Sequence, residues 1–152
     1  MSGTDWNRYM PMIEDRKERF LAHSREDVYL DSEDGLRLHA TYFPEGDQKK
    51  TVICFHGYTS QGMKDYVALS DFYLKRGFSM LLVDARAHGN SEGKYIGFGC
   101  LDRQDALLWI QWVLDHCGRD TDLLLHGISM GAATVLMCTG LELPEQVRGV
   151  VS

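Results

Sequence analysis

One serine of this sequence stands in a pattern that is typical of a nucleophile. Gly127, Ser129 and Gly131 match G-x-S-x-G, with an apolar segment before them (122–126) and a helical pattern of small residues after them. A nucleophile elbow is a sharp strand-to-helix turn, and glycines two residues either side of the serine remove Cβ atoms that would collide there. We therefore predict that Ser129 is a nucleophile supported by both glycines. The alternative is a serine that only caps a helix after a glycine turn.

A second match to the same pattern is centred on Ser91 and runs from Gly89 to Gly93. This serine lies past the end of a strand-like segment, and no helical pattern follows it directly. Because an elbow needs a strand before the serine and a helix after it, we interpret Ser91 as a loop residue.

Acyl transfer also needs hydrogen-bond donors for the oxyanion that forms on the substrate. In the elbow architecture one donor is the amide of the residue after the nucleophile, here Met130, and the other comes from the loop after the third strand. That loop begins with His56, Gly57 and Tyr58. We predict that the amide of Tyr58 faces the site and that His56 and Gly57 shape the loop; the alternative is a plain turn.

The surrounding segments predict the elements that would position these residues. Two alternating segments, 28–32 and 36–43, flank Asp34-Gly35 and indicate an antiparallel hairpin. Mostly apolar segments, typical of strands covered on both faces, are 51–55, 78–84, 122–126 and 147–151. Helical patterns between them cover 63–76, 102–117 and 130–139. This order predicts an α/β fold with parallel crossover connections.

The N-terminal residues form a separate predicted segment. Pro11 can open a helix that carries Ile13, Phe20 and Leu21 on one side. We assign residues 1–26 to an N-terminal helical segment packed on the body and residues 27–152 to the α/β domain.

The composition excludes several classes of function. The chain has 152 residues, 44% of them apolar and 25% charged, with a formal charge of −6 and no block of basic residues, so we expect no nucleic-acid partner. No apolar run approaches the length of a membrane span, and no secretory signal is evident. The four cysteines form no C-x-x-C pair, which favours free thiols and a cytoplasmic location over disulfides or a metal site. No metal-ligand cluster and no phosphate-binding glycine loop is evident, so we expect no metal and no cofactor.

Three stretches together resemble the α/β-hydrolase-fold serine hydrolases, in the branch of bacterial esterases and prolyl-oligopeptidase-like peptidases. They are His56-Gly57-Tyr58, the stretch 84–93 (DARAHGNSEG) and the elbow at 127–131. The resemblance covers roughly residues 28–152 and implies the N-terminal part of an α/β-hydrolase-type sheet, truncated at about the sixth strand. It also implies that Arg86 and His88 are scaffold residues beside the pocket.

The family's catalytic triad follows the order serine, acid, histidine. After Ser129 the chain offers only Glu142 and Glu145 as acids and no histidine, because all six histidines precede the serine. We expect none of them to act as the base, and His88 is the least implausible candidate. The acid and the histidine are therefore expected beyond residue 152, and the 152-residue chain alone is expected to be nearly inert.

Two functions remain open. The first is a serine hydrolase acting on a carboxylic ester, thioester or amide, with a small-molecule ester or a peptide as its substrate. The second is a non-catalytic, shortened relative that binds a small ligand or a partner. In either case an exposed edge strand favours self-association of this chain.

Overall fold

The computed structural model describes residue 8 and residues 10–44, 49–97 and 100–152. Eleven elements follow one another within these residues: α1 (Met10–Ala22), β1 (Glu26–Asp31), β2 (Arg37–Phe43), β3 (Lys50–Phe55), α2 (Gly62–Tyr66), α3 (Ser70–Leu74), β4 (Ser79–Val83), α4 (Asp102–Cys117), β5 (Asp122–Gly127), α5 (Met130–Cys138) and β6 (Val147–Val151).

The six strands form one mixed sheet in the order β1-β2-β4-β3-β5-β6. The first two strands pair as the predicted antiparallel hairpin, with Val28 opposite Ala40. Gly35 in the turn has a φ of 85°, a conformation that glycine adopts without steric cost. β2 joins β4 in antiparallel fashion, and the pairs β4–β3, β3–β5 and β5–β6 are parallel. The sequence prediction of an α/β-hydrolase-like sheet is thereby confirmed.

Apolar side chains fill both faces of this sheet, which explains why its central strands read as continuous apolar runs. One face packs against α4 and α5, where Trp109, Ile110 and Val135 are fully buried. The other face packs against α1, α2 and α3. There Phe20 of α1 stacks on Phe43 with ring centroids 4.5 Å apart, so α1 packs on the body through this aromatic contact.

The predicted helix over 63–76 is wrong in one respect, because two short helices, α2 and α3, replace it. The residues between them form a turn in which the amide of Leu69 donates to the carbonyl of Tyr66 at 3.1 Å. The Ser70 hydroxyl donates to the carbonyl of Val67 at 2.7 Å, so a side chain satisfies a group that a continuous helix would have used itself.

Helix α4 has the predicted bounds, and Gly118 ends it with a φ of 113°. Among the described helices, none is both long enough and apolar enough to cross a bilayer.

Candidate active site

Ser129 lies at the joint between β5 and α5, two residues after the last residue of β5 and one before the first residue of α5. Its backbone has φ 55° and ψ −113°. Most non-glycine residues with a positive φ occupy the left-handed region, where ψ is also positive. Because its ψ is negative, Ser129 lies outside that region. Its side chain is nevertheless exposed. The chain thus holds a hydroxyl at the surface in a conformation that costs on the order of 1–3 kcal/mol.

The glycines on either side of Ser129 are required by contact distances. A Cβ atom on Gly131 would overlap the carbonyl of Phe55 at the end of β3, and one on Gly127 would overlap the carbonyl of Gly131. Since backbone atoms cannot move away as a flexible side chain can, only glycine fits at both positions. These two absent side chains allow α5 to start directly against the ends of β3 and β5.

The loop after β3 lies against Ser129. β3 and β5 are parallel neighbours with Phe55 opposite Gly127, so the loop and the elbow leave the sheet side by side. A Cβ atom on Gly57 would lie 3.4 Å from the Cβ of Ser129. Met130 is the first residue of α5, and the first amides of a helix have no intrahelical acceptor. The structure therefore brings together Ser129, Gly57 and the start of α5.

His56 is a buried scaffold residue of this loop. Its Nδ1 lies 2.7 Å from the carbonyl oxygen of Gly57, which can only accept, so Nδ1 carries the proton. Its Nε2 accepts from the amide of Ala85 at 3.0 Å. Burial lowers the pKa of the imidazole, which keeps it neutral. With both ring nitrogens engaged, His56 has no nitrogen left to take a proton from Ser129.

His88 is engaged in the same way. Its Nδ1 donates to the carbonyl of Arg86 at 3.0 Å, and its Nε2 accepts from the amide of Thr59 at 3.2 Å. Its ring lies 5.0 Å from that of His56, centroid to centroid. This histidine therefore fastens the stretch 84–93 to the loop after β3 rather than offering a free base.

His126 belongs to β5 and turns to the face of the sheet that carries α3. Its Nδ1 lies 2.6 Å from the Tyr73 hydroxyl, and burial lowers the pKa of its imidazole. The aromatic rings of Tyr66 and Tyr73 pack edge-on against it. These contacts hold the partly buried ring of His126 against the two tyrosines.

Ser91 is a buried loop residue. Its hydroxyl donates to the carbonyl of Asp84 at 2.6 Å and accepts from the amide of His39 at 2.8 Å. His39 lies between two carboxylates, Asp84 at 2.6 Å and Asp27 at 2.7 Å. Burial opposes the charged form of His39, but the hydrogen bonds to both carboxylates outweigh it and raise the pKa of the imidazole. The second G-x-S-x-G match thus joins the stretch 84–93 to β2.

Arg86 ties three separate segments together. Its guanidinium makes two hydrogen bonds to Asp105 of α4, at 2.8 and 2.9 Å, and two to Asp34 of the hairpin turn, at 2.9 and 3.1 Å. These bonds to Asp105 and Asp34 raise the pKa of the guanidinium, which keeps it charged although it is buried. The arrangement agrees with a scaffold role for Arg86.

Two residues of α2 that sequence reasoning missed also contact this site. The Asp65 carboxylate accepts from the amide of Gly57 at 2.6 Å, and the Tyr66 hydroxyl lies 2.9 Å from the carbonyl oxygen of Phe55. The sequence signal for Asp65 is weak, because acidic residues are common in the first turn of helices, where they complement the helix dipole. The sequence alone does not distinguish a carboxylate that binds the loop after β3 from one that only complements the helix dipole.

Comparison with known proteins agrees with this architecture. A family model described as "Serine aminopeptidase, S33" matches residues 46–152. The structure of an esterase from Pyrococcus furiosus is similar, with a TM-score of 0.74 and 31% identity over 88% of this chain and 52% of the esterase chain. An α/β hydrolase from Penicillium sp. shares the fold, with a TM-score of 0.73 and 20% identity over 84% of this chain and 44% of the hydrolase.

Among curated proteins, a polyketide transferase of Stachybotrys chlorohalonatus is 30% identical over 125 residues, which are 78% of this chain and 41% of the transferase. The chain thus spans about half the length of the esterase and less than half that of the transferase. The family model, the strand order and the esterase-like sheet all agree, and the chain therefore belongs to the serine aminopeptidase family of α/β-hydrolase-fold proteins.

Proposed function

We propose that the protein containing this chain is a serine hydrolase acting on a carboxylic ester, thioester or amide, with Ser129 as its nucleophile. The observation that carries the proposal is the backbone of Ser129. A folded chain tolerates φ 55° and ψ −113° at a non-glycine residue only where the surrounding structure imposes it, and such strain clusters at functional sites. The exposed hydroxyl beside Gly57 is the chemical consequence of that conformation.

The reaction proceeds in two steps. The Ser129 oxygen attacks the substrate carbonyl carbon while a base takes its proton, and the carbonyl oxygen becomes an oxyanion held by the amides of Tyr58 and Met130. The C–O, C–S or C–N bond then breaks, the leaving group takes the proton, and an acyl-serine remains. Water attacks the acyl-serine in the same manner and releases the acid. His56, Gly57, Gly127 and Gly131 support the backbone that carries these groups.

The base and its acid come from a part of the protein outside residues 1–152. Support for this comes from the three histidines that lie near the elbow or its loop, because each has a partner already. His56 and His88 have both ring nitrogens engaged, and His126 is bonded to Tyr73. The base must reach hydrogen-bonding distance of the serine hydroxyl, and none of the three is available for that.

The test compares residues 1–152 with the polypeptide of the complete natural reading frame. Both are treated with a fluorophosphonate probe and with p-nitrophenyl acetate, and Ser129→Ala serves as the control. We expect the complete protein to be labelled at Ser129 and to hydrolyse the ester, and residues 1–152 to turn over on the order of a million times more slowly.

Two outcomes contradict the proposal in different ways. A complete protein that neither labels at Ser129 nor hydrolyses the ester rules out the hydrolase and leaves the non-catalytic binding protein. Ordinary turnover by residues 1–152 alone would instead disprove the statement that the base lies outside them.

A further inference from the structure

The loop after β3 makes a tight turn whose two ends are fixed by one carboxylate. The amide of Ser60 donates to the carbonyl of Gly57 at 3.2 Å, which closes the turn. The Asp65 Oδ2 atom accepts from the Gly57 amide at 2.6 Å, and its Oδ1 atom accepts from the Ser60 hydroxyl at 2.6 Å. A single side chain of α2 thus determines where the turn begins and where it ends.

The residues inside the turn are restrained as well. Thr59 has a positive φ of 53°, and its amide donates to Nε2 of His88 at 3.2 Å. Tyr58 therefore lies between two residues whose amides point at fixed acceptors, Gly57 on one side and Thr59 on the other. Because the Gly57 amide is committed to Asp65, it does not serve as an oxyanion donor, which supports the Tyr58 amide as the proposed donor from this loop.

Helix α2 is itself fixed to the strands that carry the site. The Tyr66 hydroxyl lies 2.9 Å from the carbonyl oxygen of Phe55 and 2.8 Å from that of His126, so it bridges the ends of β3 and β5. At the other end of α2, a Cβ atom on Gly62 would lie only 3.0 Å from the Cβ of Leu82 in β4. The Asp65 carboxylate is therefore held on a helix that contacts the sheet at both of its ends.

From these contacts we propose that Asp65 is a positioning residue for the oxyanion hole: its carboxylate fixes the Gly57–Ser60 turn and so sets the position of the Tyr58 amide relative to Ser129. The inference rests on the proposed function, since an oxyanion hole has meaning only in an acyl-transfer site. Asp65 acts through the turn and does not contact the substrate. Its effect therefore falls on the transition state, where the oxyanion exists, and not on substrate binding.

The experiment uses the complete protein and four variants: Asp65→Ala, Asp65→Asn, Ser60→Ala and Lys64→Ala. Alanine at position 65 removes both hydrogen bonds, so we expect kcat for p-nitrophenyl acetate to fall roughly 10- to 100-fold with KM within about threefold. Asparagine has one acceptor for the Gly57 amide and one donor for the Ser60 hydroxyl, and we expect it to restore most of the lost kcat. Ser60→Ala removes one bond and gives an intermediate loss.

Lys64→Ala is the matched control, because Lys64 is an exposed neighbour on the same helix and makes no contact in the argument. Thermal unfolding of each variant separates a loss of kcat from a loss of fold. An active parent whose Asp65→Ala variant keeps its kcat refutes the inference alone. So does an Asp65→Asn variant that is as impaired as Asp65→Ala, since the charge and not the position would then be the cause. A parent that is neither labelled nor active refutes the proposed function, and this inference with it.

Discussion

The strained backbone of Ser129 predicts that a side chain at this position reduces the stability of the protein. Glycine adopts φ 55° and ψ −113° without a Cβ clash, whereas alanine keeps the Cβ of serine and therefore keeps the strain. Ser129→Gly and Ser129→Ala both remove the hydroxyl, so the difference between them isolates the backbone contribution. Both variants lose labelling by the fluorophosphonate.

The magnitude follows from two opposing effects. Relief of the strain stabilises the glycine variant by about 1–3 kcal/mol. The greater freedom of glycine in the unfolded chain costs about 0.5–1 kcal/mol. The net expectation is that Ser129→Gly exceeds Ser129→Ala in unfolding free energy by about 1 kcal/mol, which corresponds to a Tm about 2–4 °C higher for a domain of this size.

The assay is differential scanning calorimetry of both variants in the same polypeptide and buffer, with urea unfolding as a second measure. Ser24 provides the control, because it is exposed and its φ is not positive. At position 24 the glycine variant should have a lower unfolding free energy than the alanine variant, which is the opposite of the result expected at position 129. If Ser129→Gly unfolds at or below the temperature of Ser129→Ala, position 129 is not strained and the main support for the nucleophile is lost.

Four further predictions follow from the packing and the charges. Arg86→Ala leaves the buried carboxylate of Asp105 without its cation and should lower the unfolding free energy, measured in urea, by about 3 kcal/mol. Arg148→Ala breaks an exposed ion pair and should lower the unfolding free energy by less than about 1 kcal/mol. Gly131→Ala forces a methyl group into the carbonyl that ends β3 and should lower the unfolding free energy by more than about 2 kcal/mol in the same assay. Folding raises the pKa of His39, so the stabilisation from its protonated form is complete below the unfolded-state pKa and is lost as pH rises through the folded-state pKa. The difference in unfolding free energy between the parent and His39→Gln should therefore narrow with rising pH. A difference that stays constant with pH would contradict the pairing of His39 with the carboxylates. The outer edge of β6 has no neighbouring strand among the described residues, so residues 1–152 alone should self-associate in sedimentation velocity, and a monodisperse monomer would argue against this.

Much of the fold could be predicted because its signals are local. The hairpin turn at Asp34-Gly35, the apolar runs of the central strands and the end of α4 at Gly118 are each determined by a few adjacent residues. The break between α2 and α3 was missed because the apolar spacing continues across it. The hydrogen bond that marks the break, from Ser70 to Val67, competes with helix formation in a way that periodicity does not register.

The site was predictable to a lesser extent. The elbow could be predicted from Gly127 and Gly131, because the tight turn requires glycine at both positions. Asp65 acts across eight residues of sequence and His88 across 29, and such contacts depend on where the sheet brings the loops. The two carboxylates that pair with Arg86, those of Asp105 and Asp34, lie 19 and 52 residues away from it in sequence.

The pairing of β3 with β5 has a consequence for how this site tolerates change. Phe55 lies opposite Gly127, and the amide of Ile128 continues the ladder by donating to the Phe55 carbonyl at 3.1 Å. The elbow and the loop after β3 therefore leave the sheet from neighbouring strands, which lie about 4.8 Å apart. Substitutions that keep Gly127 leave the pairing of these strands unchanged. One residue inserted into or deleted from either strand instead displaces one partner along the sheet by about 3.3 Å and turns its side chains to the opposite face. A single-codon insertion or deletion in β3 or β5 is therefore more damaging to this site than a substitution that keeps its glycines.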